Sequence, residues 1–423
     1  MKEEFLHYVW EFNLFSMHNL QSSLSEGIEI VKNGIKNLNS GPDFLNAQIK
    51  IDNQFWVGNV EIHLKSSDWY AHNHETDINY DAVILHVVWE HDSEVFMKNN
   101  KPLPTLVLKD LVDKNLLNNY QNLFSKQQRW IFCQNNIATI DSFTFSNWRE
   151  RLYFERLEYK SNFIVNLLES SKGDFEAVLF LLIAKNFGLK VNGDAFFQLA
   201  KSIDFSIIRK IQFNQQKFLA LLFGQAGFLE DNIQDEYFIS LKKEYDYLKH
   251  KYKLESISNK QFSFFRMRPN NFPTIRIAQL VSLFSNTQNL FSKIINLESI
   301  EDIYKLFFIE VNDFWKMHYT FTTASKKTSK KLTKPFIDLL IINTIIPLKF
   351  VYQKSRGEVE QQGILELIQQ LKPEKNSIVS KFSELKINAE NAFDSQSLIE
   401  LKNNYCANKR CLECAIGNKL LRN

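Results

Sequence analysis

Glycine and proline are scarce in this chain of 423 residues, at 12 and 8. That excludes collagen-like and Gly/Pro-rich disordered architectures and implies short loops between plentiful helices. Four cysteines are too few to staple a chain of this length as a disulfide scaffold. No sign of charge dominates: 51 Lys and Arg against 48 Asp and Glu leave a net +3. A histone-like polycation is thereby excluded, and any nucleic-acid contact must come from a local patch. Long apolar runs are also missing. The most apolar long stretch, 336–352, is interrupted by Asp338, Asn343, Pro347 and Lys349, and reads as a buried helix rather than a bilayer span. The opening MKEEFLHYVWEF has no basic n-region and no apolar h-region. The expected location is therefore the cytoplasm, with no membrane partner, where thiols stay reduced. Phenylalanine, by contrast, is abundant at 37 residues, which implies a large aromatic core. Hydrophobic residues at 44% and charged residues at 23% are ordinary for a globular protein. At roughly 150 residues per domain the length suggests two or three domains.

The pattern changes character near residue 140. Residues 3–15 carry Phe5, Tyr8, Val9 and Phe12 at helical spacing. From Gly27 the period becomes two. Ile28 and Ile30 suggest a first strand, Ala47, Ile49 and Ile51 a second, and Trp56 to Lys65 a third, with Asp52-Asn53 as a turn. Ser67-Asp68 opens a short helix or ordered loop, and the nearly all-apolar 82–89 reads as a strand covered on both faces. Weaker strand signals lie at 93–98 and 104–108. Beyond residue 140, helices are expected at 145–169, 174–186, 195–202, 214–223, 234–253, after Pro273, 301–319, 335–346, 359–371 and 376–386. The expected division is an α/β domain over 1–140, a mainly α-helical domain over 141–400, and a tail over 401–423 that packs back near Cys133.

The densest chemistry lies at 41–91. Asp43 opens the second strand, and strict alternation puts Glu61, His63 and Lys65 on one face of the third. A hairpin between these strands would bring Asp43 and Glu61 together as a hard-oxygen site for Mg or Mn. Such an ion can activate water and steady a phosphodiester leaving group, with Lys65 or His63 assisting charge stabilisation. This order resembles the PD-(D/E)XK nuclease superfamily, and Pro42-Asp43 supplies its PD. The resemblance covers about a fifth of the chain. It implies a restriction-endonuclease-like core of helix, three-stranded meander, helix and strand, and phosphodiester hydrolysis in nucleic acid. It also implies a supporting role for Glu11 on the first helix. His63 stands where that superfamily usually has lysine, which leaves open a degenerate fold that binds nucleic acid or an assembly partner without cleaving.

Five of the nine histidines fall within 63–91: His63, His72, His74, His86 and His91. His72, His74 and Asp77, with His63 nearby, have spacing for a transition metal and open a second alternative, a zinc-dependent hydrolase. Alternatively these residues and Asp68 line a cleft. His86, in an apolar strand, reads as a core histidine, and Trp69 and Tyr70 as core residues or stacking platforms.

Three of the four cysteines form C-x4-C-x2-C in NNYCANKRCLECAIG: Cys406, Cys411 and Cys414. Cys133 is the one candidate for a fourth thiolate. Four thiolates suit zinc or an iron–sulfur cluster. The tail resembles the cysteine loops of base-excision glycosylases and of RecB-like iron–sulfur nucleases, although Cys133 follows the presumed nuclease core instead of preceding it. Lys409 and Arg410 in this loop suit phosphate.

In the helical part, FFRMRPNNFPTIR sets Arg266, Arg268 and Arg276 around two prolines before a helix, an arrangement that could hold a phosphate. Lys326, Lys327, Lys330, Lys331 and Lys334 read as a solvated basic loop, with phosphate contact as the lesser alternative. Trp315, His318 and Tyr319 read as core or groove residues. As a whole the chain resembles a family of uncharacterised bacterial proteins, a domain of unknown function. The likeness is carried by GPDF, WVGNVEIHLKSSDW, YDAVILHVVWEHD, RPNNFP and CLECAIG. It implies no activity, and the function expected from the site is metal-dependent nucleic-acid hydrolysis.

Overall fold

The computed structural model describes residues 1–124, 129–358 and 360–422. Its contacts divide the chain into two compact units. One comprises Met1–Trp148, Glu384–Ile387 and Leu401–Asn423, and the other Arg149–Ser383 and Asn388–Glu400.

The first unit is built on a mixed sheet. Helix α1 (Glu3–Glu11) buries Phe5, Leu6, Tyr8, Val9 and Trp10 against it. Strands β1 (Leu20–Gln21), β2 (Gly27–Lys32), β3 (Ile35–Lys36), β4 (Phe44–Ile51) and β5 (Gln54–Lys65) follow. The pairs β2/β4 and β4/β5 are antiparallel, so these three form a meander, with β3 pairing the start of β4. In β4 the buried Phe44, Ala47, Ile49 and Ile51 alternate with more exposed neighbours around a bulge near Asn46, as a strand with one core face requires. The β4–β5 turn sits at Asp52, whose backbone is left-handed (φ 51°) and whose Oδ1 accepts from Gly27 N at 2.8 Å.

After β5 the chain crosses through the short helix α2 (Asp68–Ala71) to β6 (Val83–Glu90), parallel to β5, and then to β7 (Thr105–Val107), parallel to β6. A parallel pair needs such a crossover. Gly58 lets the two strands meet: a Cβ there would fall 2.4 Å from Ile84 Cγ2 and 2.6 Å from the Ala82 carbonyl oxygen. Of the two weaker strand signals, 104–108 forms β7, and 93–98 contributes a single bridge, Phe96 to Pro102. Helix α3 (Lys114–Leu123) and a C-terminal helix (Ala415–Arg422) complete the unit, Asn119 Nδ2 donating to the Leu421 carbonyl at 3.1 Å.

The second unit is helical, entered along the helix Ser142–Ser170. Its core holds much of the phenylalanine: Phe180, Phe187, Phe196, Phe218, Phe223, Phe238 and Phe284 are fully buried, together with Trp315. The helix expected at 301–319 is two, Ile300–Leu306 and Asp313–Met317. Between them Ile309 and Val311 are buried while Phe308 and Glu310 are not, an extended alternation, and Asn312 then caps the second helix by accepting from Trp315 N. Lys334–Arg356 is one run, interrupted by a π-helical turn at Ile341–Ile345. It is long and apolar enough to cross a membrane, but 67% of its most apolar window is buried inside the structure.

Candidate metal centre in the first unit

Strand β5 buries four consecutive residues, Val60, Glu61, Ile62 and His63. Val60 and Ile62 face the apolar core, which leaves Glu61 and His63 on the other side. The 66–82 crossover covers that side, with Trp69 only 1% exposed. Asn73 takes a left-handed backbone (φ 60°), a conformation asparagine tolerates, between His72 and His74. Tyr80 stacks on the His74 ring at 3.7 Å. His86 on β6 is the register partner of Glu61.

These elements bring three histidine donors together and set the Glu61 carboxyl against two of them. His63 Nε2 lies 3.0 Å from His72 Nδ1 and 3.5 Å from Glu61 Oε1, and His74 Nε2 lies 3.4 Å from the same Oε1. His63, His72 and His74 present donor atoms all within 4.8 Å of one another. His63 Nδ1 is 2.9 Å from His86 Nε2, so His86 holds the orientation of the ring. His74 Nε2 is buried without a hydrogen-bond partner. His72 is exposed, which opens the cluster to solvent. Asp43 stands beside it: its N–H donates to Glu61 Oε2 at 3.1 Å, and its Oδ2 accepts from Ile62 N at 3.0 Å and lies 3.3 Å from His7 Nε2.

Burial, with the Asp43 charge adding to it, pushes the Glu61 carboxyl up to about 9. Burial, reinforced by His72 and His74, pushes His63 down to about 3, and burial also lowers His74 and His86. At neutral pH the Glu61–His63 and Glu61–His74 contacts therefore join neutral groups and are not ion pairs. A divalent cation would reverse this balance, because its charge offsets the desolvation of the carboxylate.

Other expected site residues lie elsewhere. Lys65 shares the Glu61–His63 face by alternation, but its Nζ is 3.7 Å from Asp92 Oδ2 and more than half exposed, at the strand's end. Asp68 accepts from Lys65 N at 3.0 Å and closes the turn into α2, while Asp77 caps Asn79. Tyr70 bridges Glu94 and Phe96, His91 lies near Glu94, and Glu11 near Lys36. Glu3, His7, Tyr80 and His86 support the cluster, and no local pattern marks Tyr80 or His86 for that role. The i,i+4 spacing of Glu3 and His7 was the available signal.

The three arginines of the second unit do not converge. Arg276 is buried over the Phe336 ring at 3.7 Å, bonded to Gln279 and Asn271. Arg266 lies over Phe265, and Arg268 is exposed. Of the basic run, Lys330 is not solvated: it is buried over Tyr319 and donates to Ser325 Oγ. Lys331 pairs with Glu310, while Lys326 and Lys327 are exposed. Trp315 is core.

Cys133, Cys406, Cys411 and Cys414 line one cavity in the first unit, with Leu123, Phe132, Leu401 and Tyr405. Burial raises all four thiols, Cys133 and Cys411 to about 12. Arg410 also lines this cavity and is held by Glu413 at 2.6 Å.

The chain belongs to a protein family of unknown function, DUF2851, whose match spans residues 3–377. That span holds the histidine cluster and Cys133 and ends before the Cys406–Cys414 loop. No curated protein and no solved structure matches the chain.

Proposed function

We propose that this protein is a metal-dependent hydrolase of phosphodiester bonds in nucleic acid, with its metal held by Glu61, His63, His72 and His74. The convergence of the three histidines, with Glu61 against His63 and His74, carries the reading. Donors on a tetrahedral ion with bonds of about 2.0–2.1 Å stand roughly 3.3 Å apart. Three of the six donor pairs here stand at 3.0, 3.4 and 3.5 Å, and the histidine donors all lie within 4.8 Å of one another. The unpartnered Nε2 of His74 is what an imidazole lone pair aimed at a cation looks like. Three imidazoles favour zinc and its neighbours over magnesium, so the donor set moves the ion from an Asp43–Glu61 oxygen site to the histidines.

An ion in this site would supply Lewis-acid chemistry at the scissile phosphate. The chain's own groups divide the remaining tasks. His86 orients His63 and Tyr80 orients His74. His7, 3.3 Å from Asp43 and close enough to depress His63, is placed beside the site to pass a proton to or from Asp43. The phosphodiester assignment is supported by the order helix, antiparallel meander, short helix, parallel strand. Pro42-Asp43 leads into the second meander strand, and Glu61 and His63 lie on the third, as in the restriction-endonuclease-like core of PD-(D/E)XK enzymes.

A second reading, a nucleic-acid-binding or assembly protein without catalysis, has one observation in its favour. His63, at the usual lysine position, is locked between His86 and His72, and Lys65 turns to Asp92. Metal-stripped protein, reloaded with Zn, Mn or Mg and given single- and double-stranded DNA and RNA, tests both. Cleavage restored by Zn or Mn and lost in Glu61→Ala and His74→Ala supports the hydrolase. Metal and nucleic-acid binding without cleavage selects the second reading. A metal stoichiometry unchanged by His74→Ala overturns the site.

A further inference from the structure

We infer that Cys133, Cys406, Cys411 and Cys414 hold a [4Fe–4S] cluster. The inference stands on residues separate from the histidine site. Each of the four thiols feels each of the other three electrostatically, so all six pairs are close. They are nevertheless too far apart for a single ion. Among the described residues no three of the cysteine sulfurs lie within 4.8 Å of one another, the spacing at which His63, His72 and His74 present their donors. Four thiolates on one zinc, with Zn–S bonds of about 2.3 Å, stand roughly 3.8 Å apart. A cubane of four irons sets its thiolates at its outer corners, roughly 6 Å apart. The cysteines thus share one cavity at a separation that suits a polynuclear cluster and not a mononuclear site.

The surroundings agree. Leu123, Phe132, Leu401, Tyr405 and Ile416 make the cavity apolar. The backbone N–H groups of Ile416 and Gly417 lie within reach of Cys414, donors of the kind that tune cluster sulfurs. Lys402, bonded to the Trp130 carbonyl at 2.9 Å, lies close enough to Cys406 to favour its thiolate. Gly417 makes the loop compact, since a Cβ there would fall 2.0 Å from the Cys411 carbonyl oxygen. On assembly each thiol gives its proton to solvent as its sulfur bonds one iron, and two ferrous ions, two ferric ions and four inorganic sulfides supplied from outside make up the cluster without any further electron transfer. The cluster would tie Cys133 to a tail more than 270 residues later in the chain and close a long loop.

The test is anaerobic purification of the full chain, then reconstitution with equal amounts of ferrous and ferric iron and with sulfide. About four iron and four sulfide per chain are expected, with broad visible charge-transfer absorption. The absorption should be lost in Cys411→Ser and in Cys133→Ser, with circular dichroism reporting whether each variant still folds. Should a variant unfold, the iron and sulfide content of the wild type decides alone. One zinc per chain held by the cysteines without sulfide would overturn the cluster, as would iron and sulfide content near zero after reconstitution.

Discussion

Asp43 and Glu61 are tied through each other's strand. The Asp43 N–H donates to Glu61 Oε2 at 3.1 Å, and Ile62, next to Glu61, donates its N–H to Asp43 Oδ2 at 3.0 Å. The carboxyl of Glu61 keeps its other oxygen for His63 and His74, whereas that of Asp43 faces His7. The two acids therefore have different tasks. Glu61 is placed as a ligand and Asp43 as the partner of the His7 imidazole. Asp43→Asn should keep metal affinity within about threefold and lower cleavage by about a hundredfold, the usual scale of acid–base assistance. Zinc titration and single-turnover cleavage check it. A collapse of metal affinity would put Asp43 back among the ligands.

The His86 ring meets the proposed ligands at His63 Nδ1, at 2.9 Å. Such outer contacts fix ring orientation, and losing them typically costs ten- to a hundredfold in metal affinity. His86→Leu, which keeps the apolar volume on β6, should weaken zinc binding by about that factor while far-ultraviolet circular dichroism stays unchanged. Unaltered affinity would make His86 a core filler only.

Lys65 supplies a sharp contrast. Its Nζ sits 3.7 Å from Asp92 with more than half of the side chain exposed, and an ion pair of this kind contributes about 0–1 kcal/mol. Lys65→Ala should leave cleavage and metal affinity within about twofold. A tenfold fall in turnover at unchanged affinity would mean that Lys65 swings into the site and stabilises charge there.

Much of the sheet was legible because alternation is a local signal: Ala47, Ile49 and Ile51 face the core as their period of two requires. The convergence of His63 with His72 and His74 was legible too, since a tight crossover follows β5. Alternation failed for Lys65, because it reports a face and not the reach of a long side chain at a strand end beside Asp92. Spacing likewise put Asp77 with the histidines, whereas its carboxylate caps Asn79. The helix Ala392–Glu400 escaped periodicity altogether. All nine of its residues are buried, including Asp394, Gln396 and Glu400, and its polar face is met by Arg149 and Arg156. A helix whose buried stripe is polar leaves no apolar period to read.

That buried polar seam yields a pH dependence. Lys160 donates to the Ile342 carbonyl, Asn343 Oδ1 at 3.0 Å and Gln396 Oε1 at 2.8 Å. Burial, with the Arg156 charge beside it, pushes its ammonium down from 10.5 to about 7. Between those two values the unfolded chain holds a proton that the folded chain has released. Unfolding free energy therefore rises with pH across that window, by at most about 1.4 kcal/mol per unit, and this contribution is flat below about 7, where both states are protonated. Lys160→Met removes the group, so the wild type should gain stability relative to the variant as pH goes from 7 to 9. Denaturant midpoints at three pH values measure the difference. Parallel curves would mean that the three oxygen acceptors keep the ammonium charged in spite of its burial.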